Sequence, residues 1–214
     1  MLPIIVIGGG GHAKVVIDAL RLGGREILGF VDPRQPAQAA PGMPPWFGDD
    51  DAVLRLGPGA VELANGVGST ASTVVRRNVF QRFQALGYRF PAIVHPSAIL
   101  ARDAVVSEGA QIMAGVVVQS GARIGVNAIL NTRCAVDHDC DVGAHAHLAP
   151  GSILSGSVTI GEGAHIGPGA AIIQGRTIGP YSVVGAGAVI VTDIPANVLA
   201  LGVPARVIRQ LQPD

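Results

Sequence analysis

The stretch that decides the fold runs from Ile112 to Ile190 and reads, in blocks of six, IMAGVV VQSGAR IGVNAI LNTRCA VDHDCD VGAHAH LAPGSI LSGSVT IGEGAH IGPGAA IIQGRT IGPYSV VGAGAV I. Every block begins with Ile, Leu or Val, and the register does not slip. A period of six fits neither an α-helix, with its period of about 3.6, nor an alternating strand. Hexapeptide repeats indicate a parallel β-helix, in which each block supplies one short strand and one turn. Three blocks then close a triangular coil, and successive coils stack about 4.8 Å apart.

Two further columns of the repeat support this interpretation. Glycine often follows the aliphatic residue, where we expect a tight corner that needs backbone freedom. A small residue usually stands four positions after the aliphatic one, as suits a narrow prism with room for little beyond its aliphatic ladders. The glycines are Gly125, Gly143, Gly161, Gly167, Gly179 and Gly185. We therefore predict an all-β left-handed parallel β-helix of about five coils. Crossovers between parallel strands are usually right-handed, and the hexapeptide period is the reason for predicting the opposite hand here.

The repeat also suggests where the domains divide. We expect it to extend backward through Ile93, Ile99 and Val105, with a one-residue insertion before Ile112. Residues 1–91 then form an α/β Rossmann-like domain with three or four parallel strands. Residues 92–214 form the β-helix, and its last segment is expected to cap the final coil, whose sheet edges would otherwise be exposed.

Composition excludes several classes of partner. The 15 basic and 15 acidic residues leave no net charge, so nothing favours binding to nucleic acid or to an anionic membrane. No apolar run approaches the length of a membrane span, and the N-terminus lacks the basic region of a signal peptide. Cys134 and Cys140 are expected on successive faces of the prism, too far apart to bond, which favours a reducing, cytoplasmic location.

A glycine turn near the N-terminus has the context of a phosphate-binding loop. Leu2–Ile7 reads as a buried strand, and the glycines that follow it lead into a helical pattern, so that backbone N–H groups could face a phosphate at the helix N-terminus. Gly8, Gly10 and Ala13 satisfy G-x-G-x-x-A, and Asp32 ends the next strand, as in a dinucleotide-binding fingerprint. The same pattern also fits a turn that only closes a βαβ unit.

A second glycine loop, Gly66–Thr70, follows a predicted strand. We expect it to open a helix that runs to about Leu86, with Ser69 or Thr70 as the N-cap. The first domain would then present two glycine loops at one edge of its sheet. That is enough for a mononucleotide half-site, although not for the full six-strand dinucleotide fold.

Five of the six histidines lie in or beside the repeat, and we expect their rings to point outward because the interior is occupied. His138 stands between Asp137 and Asp139, and a neighbouring carboxylate holds an imidazole in one tautomer and makes it more basic. His147 and His165 are eighteen residues apart, so they should stack on one face. The other two histidines in or beside the repeat are His95 and His145. Each of the five could also be a solvated surface residue without a functional role.

Three motifs, in this order, resemble those of the bacterial nucleotide-sugar N-acetyltransferases. They are the GGGGHAK turn at 8–14, the stretch from Asn131 to Cys140 and the closing GVPAR at 202–206. That family acts on 4-amino-4,6-dideoxy sugars and is related to the sialic acid O-acetyltransferases. The resemblance covers essentially the whole chain. It implies a homotrimer with acetyl-CoA lying along the β-helix between two subunits, and a nucleotide-linked amino sugar on the N-terminal domain, without a metal.

The resemblance also assigns roles to residues of this chain. His138 matches the family's base, and Asp139 matches the acid that raises its basicity. His147, Pro168 and Ala186 match positions that contact acetyl-CoA. The implied substrate-binding positions are Gly10, Gly11, His12, Asp32, Pro33, Gly68 and Ala71. Pro33 departs from relatives that carry an acidic residue there, which leaves the nucleotide preference open.

The chemistry of acyl transfer agrees with this assignment. Attack of an amine on a thioester needs a base to take a proton and donors for the developing oxyanion, but neither a metal nor a covalent intermediate. Arg206, and Arg209 with it, are expected to neutralise the phosphates of CoA, with simple surface solvation as the alternative.

Four other functions stay open at this point. Acetylation of a sugar hydroxyl uses the same kind of base, so the motif does not separate it from N-acetylation. In a non-catalytic nucleotide-binding scaffold the repeat would be purely architectural. A nicotinamide-dependent oxidoreductase would use the glycine turn and Asp32, but the second mononucleotide half is missing. A zinc hydratase would find ligands among the repeat histidines, yet it has no use for the N-terminal turn.

Overall fold

The N-terminal unit is a parallel sheet with helices on both sides. A computed structural model describes residues 1–38, 40–70 and 72–212 of the 214-residue chain. The sheet has the order β3-β2-β1-β4, with every pair parallel. Its elements are β1 (Ile4–Ile7), α1 (Gly11–Leu22), β2 (Ile27–Val31), β3 (Trp46–Gly48), α2 (Asp50–Leu56), β4 (Glu62–Asn65) and α3 (Val74–Ala85). The prediction of an α/β unit with parallel strands is confirmed.

The third helix begins later than the sequence suggested. It starts at Val74 with Thr73 in the N-cap position, so Ser69 and Thr70 are not caps. The second glycine loop is therefore longer than expected and runs along the edge of the sheet. A hydroxyl that was expected to cap a helix is instead available to a neighbouring element, as described below for Ser69.

The remainder of the chain forms a left-handed β-helix of two-residue strands spaced six residues apart. Each strand pairs in parallel with the strand eighteen residues further on, as Ile129 does with His147. The strands are β5 (Ile93–Val94), β6 (Ile99–Leu100), β7 (Val105–Val106), β8 (Gln111–Ile112), β9 (Val117–Val118), β10 (Arg123–Ile124), β11 (Ile129–Leu130), β12 (Ala135–Val136), β13 (Asp141–Val142), β14 (His147–Leu148), β15 (Ile153–Leu154), β16 (Thr159–Ile160), β17 (His165–Ile166), β18 (Ala171–Ile172), β19 (Thr177–Ile178), β20 (Val183–Val184) and β21 (Val189–Ile190). From β8 onward their second residues, together with the small corner residues, form the buried core; Leu100 and Val106 are partly buried against it, and Val94 in the first strand is exposed.

The start of the repeat corrects one prediction. The inward positions before Ile112 are Val106 and Leu100, which continue the period of six without an insertion. Ile93, Ile99 and Val105 were expected in the ladder, but all three point outward: Ile99 and Val105 are exposed, and Ile93 is buried against the N-terminal unit. Both residues of each early strand are apolar, so the pattern alone cannot distinguish the inward residue from the outward one.

The corners of the coil also differ from expectation. The left-handed backbone conformation falls three residues after each ladder residue, and non-glycine residues such as Asp139 and His145 adopt it with φ near +60°. The glycines one position after the ladder are needed for a different reason. A Cβ on Gly125 would lie 2.6 Å from the backbone N of Ala144 in the next coil, so only glycine permits this stacking distance.

Three outward faces of the prism carry different chemistry. The covered face, with Gln111, Ile129, His147 and His165, is buried because the N-terminal unit packs on it. The polar face presents Arg123, Asp141, Thr159 and Thr177. The open apolar face presents the first residues of its six strands, namely Ile99, Val117, Ala135, Ile153, Ala171 and Val189.

The chain ends in an antiparallel hairpin of β22 (Val198–Gly202) and β23 (Ala205–Gln210), and β22 pairs with β20 at the edge of the covered face. Val198, Ala200 and Ala205 are buried against the last coil, so this segment caps the core as predicted. No helix in the described part of the chain is both long and apolar enough to span a membrane.

Candidate active site

Local contacts fix the conformation of the first glycine turn. The N–H of Gly9 donates to Asp32 Oδ2 at 3.0 Å, and a Cβ on Gly9 would lie 2.7 Å from the ring of Phe30. Helix α1 then begins with Gly10 as a cap that offers no side chain, and its first turn contains no acidic residue. The positive end of the helix dipole is therefore left for a ligand anion.

A cleft of about 830 Å³ lies between the two glycine loops and the β-helix. It brings together six of the predicted site residues, Gly10, Gly11, His12, Asp32, Gly68 and His147, with Asn131, Thr132 and Pro150. Ala71 lies outside the described residues. Pro33 is exposed and lines neither this cleft nor the neighbouring cavity of about 540 Å³ beyond Asp32, whose walls include Phe30, Arg34, Met43 and Trp46.

The base of the cleft is tied to the covered face by hydrogen bonds. His12 Nε2 lies 2.7 Å from Gln111 Oε1, and Gln111 Nε2 donates to the carbonyl of Asn65 at 2.8 Å. Burial, followed by the charge of Arg76, lowers the pKa of His12 to about 4. The ring beside the phosphate turn is therefore neutral at physiological pH.

His147 occupies the wall between the two domains. Its Nδ1 lies 2.6 Å from Ser69 Oγ, and its Nε2 lies 3.2 Å from Asn131 Nδ2. The ring centroid of His165, one coil away, is 5.0 Å distant, which confirms the predicted stacking. Burial lowers the pKa of His147 to about 2, and unfavourable electrostatic interactions of a protonated ring with His165, His12 and Arg76 contribute to this shift.

The rings of the repeat histidines point away from the prism as predicted, but the alternative that they are solvated surface residues does not hold for three of them. His145, His147 and His165 point away from the prism, but they are only about 5% exposed because the N-terminal unit covers them. The repeat shows which way a side chain points from its own strand. It does not show that a second domain, about ninety residues earlier in the sequence, packs on that face.

A buried arginine joins the two domains at this point, and sequence reasoning missed it. The Arg76 guanidinium donates to the carbonyl groups of Val67, at 2.8 Å, and Asn65, at 2.9 Å, and more weakly to that of Asn127. Within the described residues it has no carboxylate partner, and its Nη2 has no acceptor. Burial lowers its pKa to about 9. Nothing in the local sequence distinguishes Arg76 from its neighbour Arg77, which is only partly buried.

His138 lies in a different environment, on the corner between β12 and β13. Its Nδ1 lies 2.8 Å from Asp139 Oδ2, and its side chain is half exposed. The hydrogen bond to Asp139, supported by the charges of Asp137 and Asp139, outweighs the opposing effect of burial and raises the pKa of His138. The arrangement predicted from the sequence, an imidazole made more basic by its neighbour, is present.

Two glycines in the adjacent coils leave room for the side chains of His138 and Asp139. A Cβ on Gly156 would collide with the His138 ring, 2.5 Å from Cε1, and a Cβ on Gly121 would lie 2.5 Å from Asp139 Oδ1. Sequence reasoning missed both roles. Stepping eighteen residues from His138 to Gly156, and from Asp139 back to Gly121, would have revealed them.

Within one chain the structure does not bring His138 to the cleft. The strand β12 separates the corner of Asn131 and Thr132, which lines the cleft, from the corner of Asp137 and His138. These two corners are the opposite edges of the open apolar face. Each chain therefore carries a basic imidazole on one edge of that face and a nucleotide-sized cleft on the other.

The remaining residues predicted for acetyl-CoA are exposed. Pro168 and Ala186 stand in one row with Pro150, since Gly169 N donates to the carbonyl of Pro150 and Gly187 N to that of Pro168. This row runs along the cleft edge of the open apolar face. Arg206 is exposed on the terminal hairpin, where its guanidinium bonds the carbonyl of Ala205.

The hexapeptide prism, the phosphate-type turn and the acid-supported histidine define a hexapeptide-repeat acyltransferase. Family models match the chain at residues 3–83, the PglD N-terminal domain, and at residues 157–192, the bacterial transferase hexapeptide (six repeats). PerB, a perosamine N-acetyltransferase from Caulobacter crescentus crystallised with CoA and GDP-perosamine, is 40% identical over 97% of each chain, with a TM-score of 0.88.

Two further structures extend the comparison. The acetyltransferase domain of PglB from Neisseria gonorrhoeae, in complex with acetyl coenzyme A, is 36% identical over 96% of this chain and 98% of that one, with a TM-score of 0.90. WeeI from Acinetobacter baumannii is 25% identical over 97% and 100% of the two chains, with a TM-score of 0.86. The chain belongs to the nucleotide-sugar N-acetyltransferases of the hexapeptide-repeat family.

Proposed function

We propose that this enzyme transfers the acetyl group of acetyl-CoA to the 4-amino group of a nucleotide-linked 4-amino-4,6-dideoxy sugar. The observation that carries the proposal is the His138–Asp139 pair, an exposed imidazole whose pKa is raised by a carboxylate 2.8 Å away. The family and its members' complexes with CoA and GDP-perosamine support the substrate class.

In this mechanism the amine attacks the thioester carbonyl directly. The C–N bond forms and His138 accepts the proton that the nitrogen loses. The C–S bond then breaks, and the departing thiolate of CoA takes that proton from the His138 imidazolium to leave as the free thiol. Asp139 accepts a hydrogen bond from Nδ1 and stabilises the imidazolium that results. Nε2 is then the atom that takes the proton, and Gly156 leaves that side of the ring clear.

We propose that the nucleotide-linked sugar occupies the cleft between the domains. Its diphosphate would lie at the N-terminus of α1, where backbone N–H groups and the helix dipole favour negative charge. The base would enter the neighbouring cavity beyond Asp32. Residues 1–91 would thus serve as the nucleotide-sugar-binding domain and residues 92–214 as the acyltransferase domain. Acetyl-CoA would follow the row of Pro150, Pro168 and Ala186, with its phosphates near Arg206.

The open apolar face supports a homotrimer that completes this site. Ile99 and Ile153 on that face are at least half exposed, and its four other outward residues are Val or Ala. If three copies pack these faces around a three-fold axis, the His138 edge of one copy meets the cleft edge of the next. That arrangement would place His138 of one copy next to the sugar bound in the cleft of its neighbour. Within a single chain the two are apart. Free, buried Cys134 and Cys140 suit a reducing compartment, and we propose the cytoplasm.

The direct test is to incubate the protein with acetyl-CoA and a panel of nucleotide-linked 4-amino sugars, and to follow release of free thiol. The same panel contains the matching 4-hydroxy nucleotide sugars and free sialic acid. Thiol release with the amino sugars alone supports the proposal. Release only with hydroxyl acceptors would replace it with O-acetylation, and release with none would contradict both.

A mixing experiment tests whether the site is shared. His138→Ala removes the base, and Gly11→Glu places a carboxylate in the cleft at an exposed helix N-terminus where nothing lies within 4 Å of the new Cβ. Both variants alone should be nearly inactive. The two variants are then denatured and refolded together in equal amounts. About a quarter of the subunit interfaces should combine an intact His138 from one chain with an intact cleft from the other, and activity should return at those interfaces. No recovery would mean that cleft and base act within one chain.

A further inference from the structure

The hydrogen bonds around His147 determine which of its nitrogens carries the proton. Asn131 Oδ1 accepts a hydrogen bond from the backbone N–H of Thr132 at 2.8 Å. The other end of the amide, Nδ2, therefore faces His147 Nε2 at 3.2 Å. Because Nδ2 can only donate, Nε2 must present its lone pair.

It follows that the Nδ1 of His147 is the protonated nitrogen and that it donates to Ser69 Oγ at 2.6 Å. Protonation of both nitrogens is excluded by the surroundings. The ring is buried, beside His165 and His12 and near the Arg76 guanidinium, and no carboxylate bonds it within the described residues. Its pKa is lowered to about 2, so this single tautomer persists across the physiological range.

The tautomer decides what Ser69 can offer a ligand. The hydroxyl oxygen already accepts from His147, and within residues 1–38, 40–70 and 72–212 its proton has no acceptor. Ser69 lines the cleft on the loop that faces the phosphate turn, and the adjoining Gly68 lies so close that a Cβ there would be 3.0 Å from the Cβ of His12. The O–H group is therefore a donor at the place where the first glycine turn and the second glycine loop approach each other.

We infer that Ser69 donates a hydrogen bond to the diphosphate of the nucleotide-linked substrate, and that a neutral His147 anchored by Asn131 holds it in that role. This inference deepens the proposed function and rests on it for the identity of the ligand. It makes His147 a positioning residue of the nucleotide cleft. The resemblance to the family had suggested instead a contact with acetyl-CoA, but both ring nitrogens are already engaged.

The tautomer can be tested on the resting enzyme without any ligand. In the full-length protein with ¹⁵N-labelled histidine, the ring of His147, assigned by its absence in His147→Gln, should show a protonated Nδ1 and an unprotonated Nε2. These signals should not change between pH 5.5 and 8, whereas those of His138 should titrate. A protonated Nε2 on His147 would overturn the inference.

The donor role is tested with inorganic pyrophosphate and with UDP and GDP as probes, by calorimetry. Ser69→Ala should weaken pyrophosphate binding about tenfold, the usual loss for a hydrogen bond to a charged group. Ser69→Thr, which keeps the hydroxyl, should stay within about twofold of the wild type. The KM for acetyl-CoA should be unchanged in Ser69→Ala, whereas the midpoint of thermal unfolding should fall because the buried Nδ1–H of His147 loses its acceptor. Unaltered pyrophosphate binding in Ser69→Ala would contradict the donor role.

The two proposals fail separately. If no amino sugar elicits thiol release but Ser69→Ala still weakens pyrophosphate binding, the diphosphate contact stands and the proposed reaction falls. If thiol release is seen and Ser69→Ala binds pyrophosphate as well as the wild type, the reaction stands and the contact falls.

Discussion

His138 and His147 are nine residues apart in the same repeat, yet the fold gives them opposite properties. His138 sits on an open corner beside two carboxylates, and its pKa is raised. His147 sits beneath the N-terminal unit, beside two other buried histidines and near the Arg76 guanidinium, and its pKa is lowered to about 2. The comparison teaches that in a solenoid the column of the repeat decides a side chain's direction, while whatever packs on that face decides its chemistry. Only His138 is suited to accept a proton at neutral pH.

The largest expected effect comes from removing the exposed histidine. His138→Ala should lower kcat by about 10²–10⁴-fold, the range for loss of a general base, without disturbing the oligomer. His95→Ala, which removes an imidazole that is hydrogen-bonded to its neighbour Ser97 and lies away from the cleft, is the matched control and should keep normal turnover. Steady-state kinetics by thiol release measures both. Unaltered kcat in His138→Ala would remove this residue from the reaction.

A smaller loss should follow when the space around the same ring is filled. Gly156→Ala places a methyl group against His138, so the ring must rotate away; kcat should fall about tenfold to a hundredfold, as for other misplaced catalytic groups. Gly156 has an ordinary φ, so the backbone accepts alanine. Gly59→Ala, where nothing lies within 4 Å of the added carbon, is the control. Equal kcat in the two variants would show that the glycine is not needed for the ring position.

Removing only the charge beside His138 should have a milder effect. Asp139 has φ +58°, which asparagine also adopts readily, and its amide oxygen can still accept from Nδ1. In Asp139→Asn the pKa of His138 should fall. The acidic limb of the kcat/KM profile should then move to lower pH, and the plateau should drop about tenfold because the base is weaker. An acidic limb that stays in place would contradict the role of Asp139.

The buried histidines should affect stability rather than turnover. The pKa values of His12, His147 and His165 are lowered to about 4, 2 and 4, so below pH 6.5 the unfolded chain binds protons that the folded chain does not. The free energy of unfolding should therefore fall as the pH drops below 6.5, with a slope that approaches about 1.4 kcal/mol per pH unit for each histidine until the pH reaches the folded-state pKa.

His165→Phe isolates one of these groups, since His165 Nδ1 is buried without a hydrogen-bond partner and the ring mainly fills space. Urea unfolding at several pH values should show a slope smaller by about one proton than in the wild type. His138→Ala should leave the slope at pH 5–6 nearly unchanged, because that side chain is half exposed. An unchanged slope in His165→Phe would mean that this histidine titrates normally.

Much of the fold could be predicted because the repeat is strict. From Ile112 onward every ladder residue was placed correctly by counting in sixes. Before Ile112 the prediction slipped by one residue, since Ile99–Leu100 and Val105–Val106 are apolar at both positions. The capping of α3 was also wrong, because Thr73 competes with Ser69 and Thr70 and only tertiary contacts decide among them.

The site was predictable where its residues are neighbours in sequence and obscure where they are not. The pairing of His138 with Asp139 is local, so the motif reveals it. The roles of Arg76, Gln111 and Ser69 depend on contacts between residues 9 to 99 positions apart. No periodicity in the sequence records which strand of the prism the N-terminal unit will cover.

The row of Pro150, Pro168 and Ala186 has a consequence for how the enzyme can change in size. Each coil adds eighteen residues, as the pairing of His147 with His165 shows, and any other increment would rotate every later face. The edge of the prism can therefore lengthen or shorten only in whole steps of about 4.8 Å. An elongated donor molecule laid along this edge would be measured in units of coils, so the number of repeats between Pro150 and the terminal hairpin would act as a ruler for it.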